Sequence, residues 1–156
     1  MKKEQVIEKL KKGSKWITVI CILGVLFNLL LVGIGFYRHR NIDADFITLY
    51  YIYRQIISSG ISAVILAVAS AMFARIAKVG LPFTKKNIRS TRIIGVLFLL
   101  NAAIPSVAAL GVGLSEPVAY TSLVSPPALV EGLLFLFIAH VIRYGAMLQQ
   151  ESDETL

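Results

Sequence analysis

The stretch WITVICILGVLFNLLLVGIGFY, residues 16–37, runs for twenty-two residues without a charge. At about 1.5 Å of rise per residue, a helix of this length spans a hydrocarbon core of about 30 Å with little tilt. It is too long for the apolar region of a secretory signal and has no A-x-A-like cleavage site before Arg38, so it reads as a retained first span. Three further apolar runs follow, and together the four give spans at about 16–37, 47–75, 93–114 and 125–149. Residues 1–15 form a basic juxtamembrane segment before them and residues 150–156 an acidic tail after them. Apolar residues gathered into runs of about twenty, rather than spread at helix or strand period, belong in lipid.

Composition agrees. Of the 156 residues 56% are hydrophobic and 16% charged, whereas soluble domains are about 45–50% apolar and about 25% charged. The net charge of +7 would suggest nucleic-acid binding in a soluble protein, but its distribution gives a simpler account. Thirteen of the sixteen Lys and Arg lie before the first span, between Arg75 and Arg92, and at Arg143. In a four-span chain these all face one side, and retention of basic residues on the cytoplasmic side puts both termini there without any direct contact to nucleic acid. Within residues 1–15, Val6, Ile7 and Leu10 share one helical face and lysines line the remainder, so the segment is expected to lie on an anionic inner leaflet, each Lys contributing about 1 kcal/mol.

Local signals refine the spans. Asp45 suits a helix N-cap before FITLYYIYR, and Tyr37, Tyr50, Tyr51 and Tyr53 read as an interfacial aromatic belt. Ser59, Ala63, Ala67 and Ala71 recur every four residues, a stripe of small side chains expected to receive another helix or a second copy of the chain. Gly80 and Pro82 end the second helix, Thr84 can cap the next, and Pro105 deprives the Asn101 carbonyl of its donor, which predicts a kink. Glu116 and Pro117 fall in the last outer turn. Ser125 is the expected N-cap of the fourth span, with Pro126 and Pro127 in its first turn. The tail QQESDETL is expected to be mobile.

No catalytic constellation, metal-spaced cluster or cofactor motif is visible, and enzymatic activity is not expected. The single cysteine, Cys21, lies in the first span and permits no intramolecular disulfide. His39 and His140 are expected at opposite faces of the membrane, and His140 reads as an interfacial residue. Counting from the basic residue at the inner end of each span, Asn28, Ser62, Asn101 and Glu131 come to similar depths. They form a candidate polar layer, in which a carboxylate would cost several kcal/mol unless neutralised or hydrogen-bonded. The bland alternative is that each makes one interhelical hydrogen bond of about 1 kcal/mol or less.

Two segments, LPFTKKNIRSTRIIG (residues 81–95) and LFLFIAHVIRYGAMLQQESDETL (residues 134–156), carry a likeness to a known family. Pro82, Phe83, Asn87, Arg89 and Arg92 follow a "PF, then N-x-R, then a basic start of a span" pattern, and Gly145, Leu148, Glu151, Asp153 and Thr155 follow a closing G-x-x-L-x-x-E-x-D-x-T. The chain resembles, over nearly its whole length, the domain-of-unknown-function family numbered twenty-nine seventy-five, small four-span membrane proteins of bacteria. The resemblance implies a cytoplasmic-membrane protein with no established enzymatic role, often encoded beside a small helix-turn-helix regulator. Glu131 is outside the family pattern.

The expectation is therefore an all-α membrane protein, an antiparallel four-helix transmembrane bundle with both termini cytoplasmic, in the inner membrane of a bacterium. Its function is expected to be that of an interaction or sensory module. The surface offered to a cytoplasmic regulatory protein comprises Pro82, Phe83, Lys85, Lys86, Asn87, Arg89 and Arg92, with Glu151, Asp153 and Glu154 of the tail as a weak latch against the basic loop. The competing expectation is a small transporter or channel-like component that uses the polar layer around Glu131.

Overall fold

The computed structural model describes residues 3–41, 45–111 and 124–154, and among them every regular element is a helix. Five occur in chain order: α1 (Lys3–Asn41), α2 (Phe46–Val79), α3 (Lys85–Ala102), α4 (Ile104–Gly111) and α5 (Pro126–Glu154). Helices α1, α2 and α5 are each long and apolar enough to cross a membrane, and α3 with α4 makes a fourth such segment if the bent pair is one span. Their outer surfaces are strongly apolar: Trp16, Phe27, Tyr37 and Phe137 are each more than 60% exposed. A monomeric soluble protein rarely shows so extensive an apolar surface, whereas lipid covers it.

The helix ends form where side chains can replace missing backbone partners. Asp45, in extended conformation, accepts a hydrogen bond from the Thr48 amide at 3.1 Å and opens α2. Gly80 closes α2 in the left-handed conformation, φ 78°, its N–H reaching the Ile76 carbonyl at 2.7 Å; a side chain at that φ would be strained. Thr84 caps α3 through the Asn87 amide at 3.2 Å. The expected kink is present, with α3 and α4 meeting at 44° across Ala103. Pro105 has no N–H to offer the Asn101 carbonyl, and beside the break the Ala102 carbonyl accepts from the Ser125 amide at 2.9 Å, which ties the start of α5 to the bend.

Helices α1 and α2 pack side by side, with Gly24 against Leu66, Gly35 against Ile56 and Gly80 against Ile7 and Lys11. Rising numbers on α1 meet falling numbers on α2, so the two run in opposite directions. Helix α2 then meets α3, with Ser58 bonded to Asn101 and Arg75 to Ser90, and also touches α4. Helix α3 packs on α5, where Gly95 faces Gly132 and Leu136. Among the described residues α1 touches neither α3 nor α5, and α2 does not touch α5. The order in space is thus an open row, α1–α2–α3–α5, with α4 beside α2, and not a closed bundle that would bring α1 against α5.

Four local expectations are corrected. Residues 3–15 do not form a separate surface segment; they are the first turns of α1, a 39-residue helix about 58 Å long at 1.5 Å per residue, and Ile7 and Lys11 pack over Gly80. Tyr50 is not part of an exposed belt: it is 1% exposed, while Tyr37 and Tyr51 are outside. In the small-residue stripe only Ser59 and Ala63 are buried, and Ala67 and Ala71 are exposed. A four-residue step advances about 40° beyond one full turn, so three steps carry a stripe about 120° round the helix and off the contact face. Finally, α5 continues to Glu154, so most of the acidic tail is helical. The end of the third span at Leu114 and the turn with Glu116 and Pro117 lie outside the described residues, as does Thr155.

Candidate interaction surface at the basic end

The turn between α2 and α3 is held from several directions. Asn87, 2% exposed, is its centre. Its side-chain amide donates to the Pro82 carbonyl at 3.0 Å and lies 3.4 Å from the Leu81 carbonyl, while its backbone amide is used by the Thr84 cap. Its side-chain oxygen faces Nε of Arg75 at 3.4 Å, and Arg75 Nη2 donates to Ser90 Oγ at 2.6 Å. Thr91, 1% exposed, donates back to the Asn87 carbonyl at 2.9 Å. A buried amide whose donors and acceptor are all used fixes backbone geometry, because any displacement leaves polar groups unpaired.

The turn is also clamped by packing. A Cβ on Gly80 would come within 2.8 Å of Ile7, and one on Gly145 within 3.2 Å of the Phe83 ring. The start of α1 therefore covers one end of the turn and α5 supports the other. Yet Leu81 and Phe83 each remain 43% exposed, and Lys85, Lys86 and Arg89 are exposed beside them.

Between the first turns of α3 and the last turns of α5 lies a groove of about 570 Å³. Lys85, Arg89 and Arg92 line it from α3 at positions i, i+4 and i+7, which share one helical face; Arg143 and Met147 line it from α5, with Ile88 on the α3 side. Among the described residues no acidic side chain lines it. Gln150 lies at its far end, so the α5 terminus borders the basic surface, and Glu151 follows on the exposed side. The side chains of Asp153 and Glu154, the rest of the expected latch, lie outside the described residues.

The candidate polar layer does not come together in this arrangement. Asn28 donates to the carbonyl of Gly24 in its own helix at 2.9 Å. Asn101 is bonded across helices, but to Ser58 Oγ at 3.2 Å rather than to Ser62. Glu131 is exposed on α5, beside Gly132 but off the face that meets α3, and the helices bearing Asn28 and Glu131 do not touch. His140 contacts the Leu136 carbonyl of its own helix at 3.0 Å, and the His39 ring lies tilted at 52° to that of Tyr53, 5.3 Å between centroids. Among the described residues no group of three His, Cys, Asp or Glu could hold a metal ion.

Sequence reasoning placed Pro82, Phe83, Lys85, Lys86, Asn87, Arg89 and Arg92 on one surface, but Asn87 is buried, its amide drawn inward by the Pro82 carbonyl, and Arg75, Ser90 and Arg143 were overlooked. Arg75 and Ser90 carried a readable signal, a long cation and a small hydroxyl on either side of a short turn. Arg143 joins the groove only because α3 pairs with α5, which no local pattern states. Compared with known proteins, the chain matches no family model, no curated protein and no solved structure.

Proposed function

We propose that this chain is a multi-pass protein of a bacterial cytoplasmic membrane that presents its basic end, on the cytoplasmic side, to a protein partner. The observation that carries the reading is the turn at residues 80–84, immobilised by buried Asn87 and yet exposing Leu81 and Phe83 beside Lys85 and Lys86. Positive charge that served only to orient the spans would act equally well on a loose loop. A rigid apolar tip ringed by cations instead fits an acidic, partly apolar protein surface, since preorganisation lowers the ordering cost of binding. The same residues carry the likeness to the four-span family, and a small helix-turn-helix regulator is a partner of suitable kind.

The test is photo-crosslinking in intact cells, with the probe in place of Leu81, Phe83 or Lys86, alongside membrane-impermeant labelling at Lys78→Cys. A soluble protein crosslinked at these positions but not from Phe27 or Phe137, with Lys78→Cys shielded from external reagent, supports the reading. External labelling of residue 78, or adducts to lipid alone at all three positions, overturns it.

A further inference from the structure

The groove between α3 and α5 differs in kind from the rest of the basic surface. Lys15 and Lys78 also lie at this end, beside the α1–α2 contact, but Lys85, Arg89, Arg92 and Arg143 come from two helices to a shared volume with no acid among the described residues that line it. Like charges gathered in one groove repel one another, and an anion relieves that repulsion. Three of the four are arginines, whose planar forks match phosphate oxygens. Lys85 opens α3, whose N-terminal end adds a partial positive charge. The volume lies within the about 300–1,000 Å³ usual for small-molecule sites.

The groove is not uniformly polar. Ile88 forms part of its wall at 9% exposure, and Met147 stands 47% exposed in it. It also sits where charge gives way to apolar sequence on both helices: Ile93 follows Arg92 on α3, and the apolar run of α5 ends at Ile142, just before Arg143. An occupant that satisfies both chemistries has a phosphate on the charged side and hydrocarbon on the other. On the reading proposed above, which this inference rests on, the cations stand at the level of the inner headgroups. Basic clefts between membrane helices at that level select anionic lipids. We propose that the groove binds the phosphate-bearing headgroup of an anionic phospholipid, with Arg89, Arg92 and Arg143 engaging the phosphate and Ile88 and Met147 meeting the acyl side. Free phosphate would make no use of the apolar wall.

The full chain, purified and reconstituted in phosphatidylcholine bilayers containing a minority of phosphatidylglycerol, is examined by native mass spectrometry for retained lipid. Alkaline extraction of the same vesicles reports insertion. Wild type is expected to retain about one phosphatidylglycerol in preference to phosphatidylcholine. Each removed cation is expected to lower retention roughly fivefold, the equivalent of about 1 kcal/mol, so Arg92→Gln with Arg143→Gln loses it about twenty-five-fold. Arg92→Lys with Arg143→Lys, which keeps the charge but not the planar forks, falls between wild type and the Gln pair. Lys15→Gln with Lys78→Gln, which removes the same charge elsewhere, leaves it unchanged. Equal losses in the two Gln pairs, no preference over phosphatidylcholine, or full displacement by millimolar inorganic phosphate would each overturn the inference. Extraction of the wild-type chain by alkali would instead overturn the membrane reading beneath it.

Discussion

The two helix pairs at either end of the row use glycine in different ways. Between α1 and α2, a Cβ on Gly24 would meet the tip of Leu66 at 2.8 Å, a side-chain end free to change rotamer. Between α3 and α5, a Cβ on Gly95 would lie 3.1 Å from the Gly132 carbonyl oxygen, and one on Gly132 would lie 3.0 Å from the Gly95 carbonyl. There the obstacle includes backbone as well as the side chains of Leu136 and Leu99, and moving the leucines does not clear the carbonyls, so relief requires the helices to separate. In lipid, where burying an apolar side chain gains little because the solvent is equally apolar, such backbone proximity is a large part of what holds helices together. At Gly24 the first pair is therefore adaptable, whereas the second is fixed at its crossing, and the groove belongs to the fixed one.

The largest effect that tests this contrast comes from Gly95→Ala with Gly132→Ala. Unfolding by SDS in mixed micelles should show a loss at or beyond the upper end of the about 1–3 kcal/mol that overpacking costs, with α3 and α5 losing their crosslinks first. A neutral result would mean that the two pairs are alike. Next is the joint between the pairs. Asn87→Ala removes the donors to the Leu81 and Pro82 carbonyls and the acceptor facing Arg75, at a cost of about 1–3 kcal/mol, and should open the turn to protease. Asn87→Asp keeps the acceptor and should lose less; equal losses would show that the carbonyl contacts alone matter. Smaller again is Gly24→Ala, expected within about 1 kcal/mol of wild type because the gain in helix propensity offsets the shift of Leu66. Gly35→Ala should cost more than Gly24→Ala, since its Cβ would meet Cγ1 of Ile56, a branched side chain with little rotamer freedom in a helix.

The smallest effect contrasts the two helix caps. Asp45 is exposed, and its hydrogen bonds from Thr48 hold its carboxyl below the ordinary aspartate range. A depressed folded pKa means that the cap's contribution is complete above the unfolded value and is lost as pH falls through the lower folded one. Amide protection at the start of α2, after correction for the intrinsic slowing of exchange in acid, should therefore fall on acidification in wild type but not in Asp45→Asn, which caps without titrating. The Thr84 cap, having no charge to lose, should keep α3 unaffected over the same range.

How much of this could be read in advance depended on whether the signal was local. Asp45, Thr84 and Pro105 announced caps and a kink because each acts on backbone groups within one turn of itself. Helix pairing was not legible. In α2, apolar residues surround the helix, so no polar stripe marks an outer face, and Tyr50 and Ser58 could not be told from Tyr51 and Ser62 by hydropathy. The basic turn was legible as a surface because its charges are contiguous, whereas the groove depends on Arg143, some fifty residues further along the chain. Glu131 misled for a related reason: its depth along the helix can be counted, but its direction round the helix needs the neighbour to be known.

The open row also bears on how the chain is made. Because α1, α2, α3 and α5 stand in the order in which they are synthesised, each helix on leaving the ribosome finds its packing surface already in place. A closed ring would oblige the first helix to wait, one flank unpaired, for the last. Here assembly proceeds as growth at one edge, and the final step docks α5 by two attachments, the Gly95–Gly132 crossing and the Ser125–Ala102 hydrogen bond at the kink. Released chains truncated before residue 125 should accordingly already hold a native α1–α2–α3 core, while the groove comes into being only when α5 brings Arg143 and Met147 to it.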